Sequence, residues 1–198
     1  MDFGTVKFRS MDRITQEDWD IIVRHHEAHY AQHLPNDLID MLNRLKGPKL
    51  GFLVDRYEHS LQTATRALRA GEDEETVVVA LLHDIGDLIA PENHCDIAAG
   101  VLKPYISDDN FWLLKNHVVF TGYYFFGFVG MDRMKHRELK GHPAYEKTKR
   151  FVEQYDCPSF DPDYDTLPLA TFEPMLRRVV GRKPRSAWRE VKPAAAAE

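Results

Sequence analysis

Cysteine is nearly absent. The 198-residue chain has two, Cys95 and Cys157, which excludes a disulfide framework as its source of stability. No apolar run reaches membrane-spanning length, and the opening MDFGTVKFRS has no apolar signal core. The expectation is a cytoplasmic protein with no membrane partner. A basic excess is missing too: 26 Lys and Arg face 31 Asp and Glu, a net charge of −5. That argues against nucleic acid as a partner. Neither an internal repeat nor a dividing linker is visible. Residues 1–190 are therefore expected to form a single domain, long enough to bury roughly 70% of its unfolded surface. The Ala-rich end, 191–198, is expected to be a disordered tail. What the chain does have is histidine, ten in all.

The patterning is helical. Residues 5–9, TVKFR, alternate and suggest one short strand. Thr15 with Asp18 resembles an N-cap with an acidic third position. The helix it opens is expected to stop near His33, before Pro35, and Asn36 to cap another that ends at Gly47 and Pro48. Asp55 can cap a helix closed by Gly71, along which Tyr57, Leu61, Ala64 and Leu68 recur at three- and four-residue steps. The segment TVVVALLHDIG is apolar all round, so it predicts a buried central helix with Gly86 near its end. Further helices are expected near 94–105, 109–121, 143–155 and 171–181. The stretch CPSFDPDYDTLPL reads as a loop.

Chemistry concentrates at His83-Asp84, at the end of the most apolar segment. Burying an imidazole beside a carboxylate is costly unless both are partnered. A divalent metal would partner both; so would a satisfied core histidine beside a capping aspartate. The pair has company. His59 lies 24 residues earlier, His94 11 later, His117 23 beyond that, and Asp156 39 further on. Four imidazoles and two carboxylates exceed the needs of one ion. A dinuclear site bridged by Asp84 would use them all. This N/O set fits iron, manganese or zinc better than copper(I) or a cluster.

The segments YEHSLQTA, LLHDIGD, NHCD, NHVVF and QYDCPSFDPDYD resemble the HD-domain superfamily. They are similar in particular to its mixed-valent diiron oxygenase branch, which holds inositol- and phosphonate-cleaving enzymes. The resemblance runs from about Asp55 to Asp165. It implies an all-α fold, an HD-domain helical bundle with a dinuclear metal site in its core. It implies that His59, His83, Asp84 and Asp156 hold one iron and that Asp84, His94 and His117 hold the other. The cofactors it implies are two iron ions, Fe(II)/Fe(III), with O2 as co-substrate. Tyr155-Asp156 matches the family's aromatic-Asp step, which leaves Asp161, Asp163 and Asp165 as a solvated acidic loop. Cys95 and Cys157 each follow a candidate ligand and read as packing residues. Ordinary HD phosphohydrolases need only the shorter His…HisAsp…Asp set. A metal-dependent phosphohydrolase acting on a nucleotide or other phosphate ester is therefore the alternative activity.

The resemblance implies a small-molecule phosphonate as substrate. After His-Asp-Ile-Gly, family members carry a substrate-contacting lysine or histidine; here Asp87 stands, which suits a cation. The family's Tyr-Phe-Gly-Glu lid is replaced by Lys49-Leu50-Gly51-Phe52. The run FTGYYFFGF, 120–128, offers Tyr123 and Tyr124 among many rings, either as an aromatic core or as a cage for a trimethylammonium head. The substrate so implied is (R)-1-hydroxy-2-(trimethylammonio)ethylphosphonate, cleaved to glycine betaine and phosphate. Thr121, Lys140 and His142 are candidate phosphonate contacts, although Lys140 alone reads as a surface lysine. His25, His26, His29 and His33 lie in the N-terminal helical region, 15–47. They read as an exposed polar face, or as part of a lid from which Glu27 or Tyr30 reaches the site. Assembly is expected as a monomer or small homo-oligomer.

Overall fold

The computed structural model describes residues 2–185. Among them are seven α-helices and no strand. The expected strand at 5–9 is absent because nothing pairs with it; instead Lys7 N donates to Asp18 Oδ1 at 3.1 Å. The expected disordered tail lies outside the described residues.

Helix α1 spans Gln16–Asn43 and opens on a complete Thr15–Asp18 capping box. It does not stop before Pro35, as the sequence predicts, but carries that proline inside it. Proline removes one helical N–H and crowds the preceding turn, at a cost of about 3 kcal/mol. The next turns offset this by burying Leu38, Ile39 and Leu42 in the core. Leucine and isoleucine gain roughly 1.5–3 kcal/mol each when fully buried, so two expected helices are one.

Helix α2, Arg56–Arg69, is capped by Asp55, whose side chain accepts from Glu58 N. Helix α3, Glu74–Leu82, is capped by Asp73 and buried from Thr76 to Leu82. Its all-round apolar surface requires this, and α2, α5 and α7 supply the cover. Helix α4 is His94–Leu102, α5 is Asp108–Phe125, α6 is Tyr145–Phe151 and α7 is Leu169–Val180. One continuous apolar core runs from Leu38 to Val180. No described helix is long and apolar enough to cross a membrane.

Two irregular turns place side chains. After α3, a 3₁₀ turn over Ile85–Leu88 bends the chain toward α4. After α6, Val152–Asp156 widens into a π-helical turn, with Cys157 N donating to Val152 O at 2.9 Å. Such turns insert one residue per turn and recur at functional sites. Here the turn carries Asp156 into the interior.

Candidate metal centre

Six side chains meet where α2, α3, α4, α5 and the π turn converge. His59 comes from near the start of α2, at the head of the continuously buried stretch His59–Thr65. His83 and Asp84 follow the last residue of α3. His94 starts α4, His117 lies on the buried side of α5, and Asp156 ends the π turn. His59, His83, Asp84, His117 and Asp156 are all buried, and His94 is half-buried.

The imidazoles are oriented from behind. The Nδ1 atoms of His59, His83, His94 and His117 lie 2.9, 2.8, 2.6 and 2.9 Å from the carbonyls of Ser159, Ala80, Pro91 and Leu114. A carbonyl only accepts, so each Nδ1 carries the proton and donates it. Each neutral ring then turns the Nε2 lone pair inward. His59 Nε2 is 3.1 Å from His83 Nε2, and His94 Nε2 is 3.3 Å from His117 Nε2. Two Nε2 atoms stand that close when a proton on one ring, or a metal ion, lies between them. Two nitrogens about 2.0–2.1 Å from one ion stand about 2.9–3.4 Å apart in octahedral or tetrahedral geometry. Both pairs fall in that window.

The carboxylates divide the donors into two sets. Asp156 Oδ1 lies 3.3 Å from His59 Nε2 and 3.7 Å from His83 Nε2. Asp84 reaches both sets: Oδ2 is 3.4 Å from His59, and Oδ1 is 3.4, 3.5 and 3.6 Å from His83, His94 and His117. His59, His83 and Asp156 form one group able to hold an ion, and His83, Asp84 and His117 another. The donor chemistry therefore fits two N/O-bound ions sharing one carboxylate.

The electrostatics fit as well. Burial opposes charge on His59, but the flanking Asp156 and Asp84 carboxylates overcome it and hold the ring up to about 9. His94 is likewise held up to about 9, against burial, by Cys95 and Asp84. Burial also opposes ionisation of Asp84 and Asp156; the imidazoles around them outweigh it and hold both below the usual carboxylate range. Imidazoles and carboxylates thus stabilise one another's charged forms, and a metal ion would take the place of the Nε2 protons.

Several predicted substrate residues are placed differently. Asp87 lies at the site, but Arg56 Nε binds its Oδ2 at 2.8 Å and His94 Nδ1 is 3.4 Å from its Oδ1. Its charge is therefore committed within the protein, and it does not stand open to a substrate cation. Thr121 supports the donors: its hydroxyl lies 3.0 Å from His117 O and 3.2 Å from Asp156 Oδ2. Tyr123, Tyr124 and Lys140 line a cavity of about 380 Å³ with His136, Arg137, Glu146, Lys149 and Glu153. None of the six clustered residues lines it. Arg133 lies 4.7 Å over the Tyr123 ring, and Lys149 pairs with Glu153. The Tyr123 face is thus taken by a cation of the chain itself, and the wall carries charges of both signs. His142 stacks on Trp112 at 4.2 Å and accepts from Ala144 N, so its ring is used in packing. Glu27 and Tyr30 line a separate cavity of about 450 Å³ with Tyr105 and residues 180–184, which again holds none of the six. His25 binds Gly4 O at 2.8 Å, and the rings of His29 and His33 stack at 4.4 Å on an exposed surface.

Three features escaped the sequence reading. Arg56 Nη1 lies 3.6 Å from Asp84 Oδ2, which makes it the cation nearest the cluster. The signal was present, since Arg56 precedes His59 by three residues, one helical turn on the same face. Phe160 stacks on His59 at 4.4 Å, and Phe52 on Phe160 at 5.0 Å, so the Lys49–Phe52 stretch does reach the site. Cys95 Sγ lies 3.5 Å from His94 Nε2, and 3.6 and 3.9 Å from His117 Nδ1 and Nε2, so it touches both rings of the second pair. The acidic loop is solvated as expected: Asp161, Asp163 and Asp165 are exposed, and Asp165 pairs with Arg69. Gln62 and Arg66 of α2 clamp the same loop through the carbonyls of Asp161 and Pro158.

A helical bundle with a carboxylate-centred histidine cluster at its core is the class of protein so defined. Residues 56–124 match the HD domain, and the fold is that of the HD-domain helical bundle. Five of the six clustered residues lie inside the match, and Asp156 lies beyond it. No curated protein matches the chain. HD-domain proteins are usually metal-dependent enzymes, hydrolases and oxygenases among them.

Proposed function

We propose that the protein is a diiron oxygenase that cleaves the C–P bond of a 1-hydroxyphosphonate in organophosphonate catabolism. The observation that carries this reading is the second histidine pair. His94 and His117 stand 3.3 Å apart, 3.5 and 3.6 Å from Asp84 Oδ1. A mononuclear phosphohydrolase has no use for that pair, whereas a site that activates O2 beside a chelated substrate does.

His59, His83, Asp84 and Asp156 would hold one iron, and Asp84, His94 and His117 the other. The metals would supply the redox chemistry and a chelating point for the substrate. The chain's own contribution is positioning. Backbone carbonyls fix all four rings, Thr121 steadies Asp156, and Arg56, paired with Asp87, holds a positive charge 3.6 Å from Asp84. The Phe52–Phe160 stack covers His59 and limits water there. Residues 1–190 would act as one catalytic unit.

A hydrolase acting on a phosphate ester is the second reading. Cys95 favours it, because a sulfur beside His94 and His117 suits zinc.

The test is iron content after anaerobic purification, followed by phosphate release from a panel of 1-hydroxyphosphonates. The panel begins with (R)-1-hydroxy-2-(trimethylammonio)ethylphosphonate and extends to primary-amine and uncharged analogues. Two irons per chain and phosphate only in the presence of O2 are expected. Phosphate released under strict anaerobiosis would overturn the oxygenase reading.

A further inference from the structure

Cys95 follows His94 in the first turn of α4 and is half-buried. Its sulfur lies 3.5 Å from His94 Nε2 and 3.9 Å from His117 Nε2. A sulfur at about 2.3 Å and a nitrogen at about 2.05 Å from one tetrahedral ion are about 3.6 Å apart. The two observed separations straddle that value. The two nitrogens are themselves 3.3 Å apart, within the range set by one shared ion. His94, Cys95 and His117 accordingly form a donor group of their own, and Cys157 belongs to none. The contrast is informative, because Cys157 also directly follows a candidate ligand, Asp156, in the sequence.

We propose that the Cys95 thiolate is a ligand at the second metal position, beside His94, His117 and Asp84. The inference rests on the two-position reading of the cluster and is independent of the reaction catalysed there. On binding, the thiol gives up its proton and a sulfur–metal bond forms, with no change in oxidation state. The two positions then differ in kind. The first, made by His59, His83 and Asp156, offers only nitrogen and oxygen, while the second adds a soft sulfur. Cobalt(II) and zinc should prefer the second position, and manganese the first.

The experiment is an anaerobic titration of the metal-free, reduced protein with cobalt(II), following absorbance and bound metal together. Two ions are expected to bind, with a sulfur-to-cobalt charge-transfer band in the near ultraviolet. C95A and C95S should lose the band and weaken the affected position by at least about tenfold; C157A should keep it. C95S retains the side chain's shape, so it reads the ligand role if C95A folds poorly. Two bound ions with no such band, or a band that survives in C95S, would overturn the proposal and leave the two-position reading intact. A single bound ion whose band requires Cys95 would support the sulfur ligand and defeat the two-position reading. One ion without the band, or no bound ion, would defeat both.

Discussion

Gly86→Ala tests how closely the second donor set depends on backbone packing. Gly86 is buried in the 3₁₀ turn that follows Asp84. A methyl group there would lie 2.4 Å from both Cα and O of His94, and 2.8 Å from its carbonyl carbon. Ordinary contact begins near 3.4 Å, so the start of α4 must retreat by about 1 Å. The obstructing atoms are backbone, and no side-chain rotation relieves the clash. His94 Nε2 now stands 3.3 Å from His117 Nε2 and 3.5 Å from Asp84 Oδ1. A retreat of that size takes these separations to about 4 Å, beyond what one ion spans. Overpacking of this kind costs about 1–3 kcal/mol, which lowers Tm by roughly 3–10 °C in a chain of this length. The second ion should bind at least about tenfold more weakly, with the first little changed. Calorimetric metal titration and thermal unfolding read the two effects separately. Gly100→Ala is the control: it is exposed on the same helix with nothing within 4 Å of an added Cβ. It should hold or raise stability by up to about 1 kcal/mol. A Gly86→Ala protein that binds two ions with wild-type affinities would refute the argument.

Other outcomes follow from the same geometry. Asp84→Ala should lose both metals, since its two oxygens serve both donor sets, while Asp163→Ala in the exposed loop should keep them; elemental analysis decides. Thr121→Val should loosen the first ion by about tenfold and leave KM unchanged, because its hydroxyl faces Asp156 and His117 O; a raised KM with intact metal would restore the substrate role expected from sequence. In the metal-free protein, His59 and His94 are held up to about 9, so their added stability is complete below 6.5 and is lost as pH rises toward 9. Asp84 and Asp156 are held below 3.8 and contribute above that value, losing the contribution as pH falls beneath it. Metal needs neutral imidazoles, so metal affinity measured by titration should climb with pH up to about 9; a flat profile from pH 6.5 to 9 would contradict these assignments.

Local chemistry was readable from the sequence alone. Thr15 and Asp55 cap their helices as expected, because capping depends on a few adjacent atoms. The all-apolar run Thr76–Leu82 had to become a buried helix, and its end therefore carried His83 and Asp84 into the interior. The order of the six candidate donors was legible for the same reason, as imidazoles and carboxylates beside apolar stretches need partners. Tertiary structure decided what depends on distance between segments. Pro35 is tolerated because the turns after it reach a core that no local rule describes. Asp87 is committed to Arg56, and Tyr123 and Tyr124 face a cavity apart from the cluster. Cys95 lies at the second donor set, although Cys157 holds the same place in sequence relative to its own neighbour. Helical rotation and packing separate those two thiols, and neither can be read from adjacency along the chain.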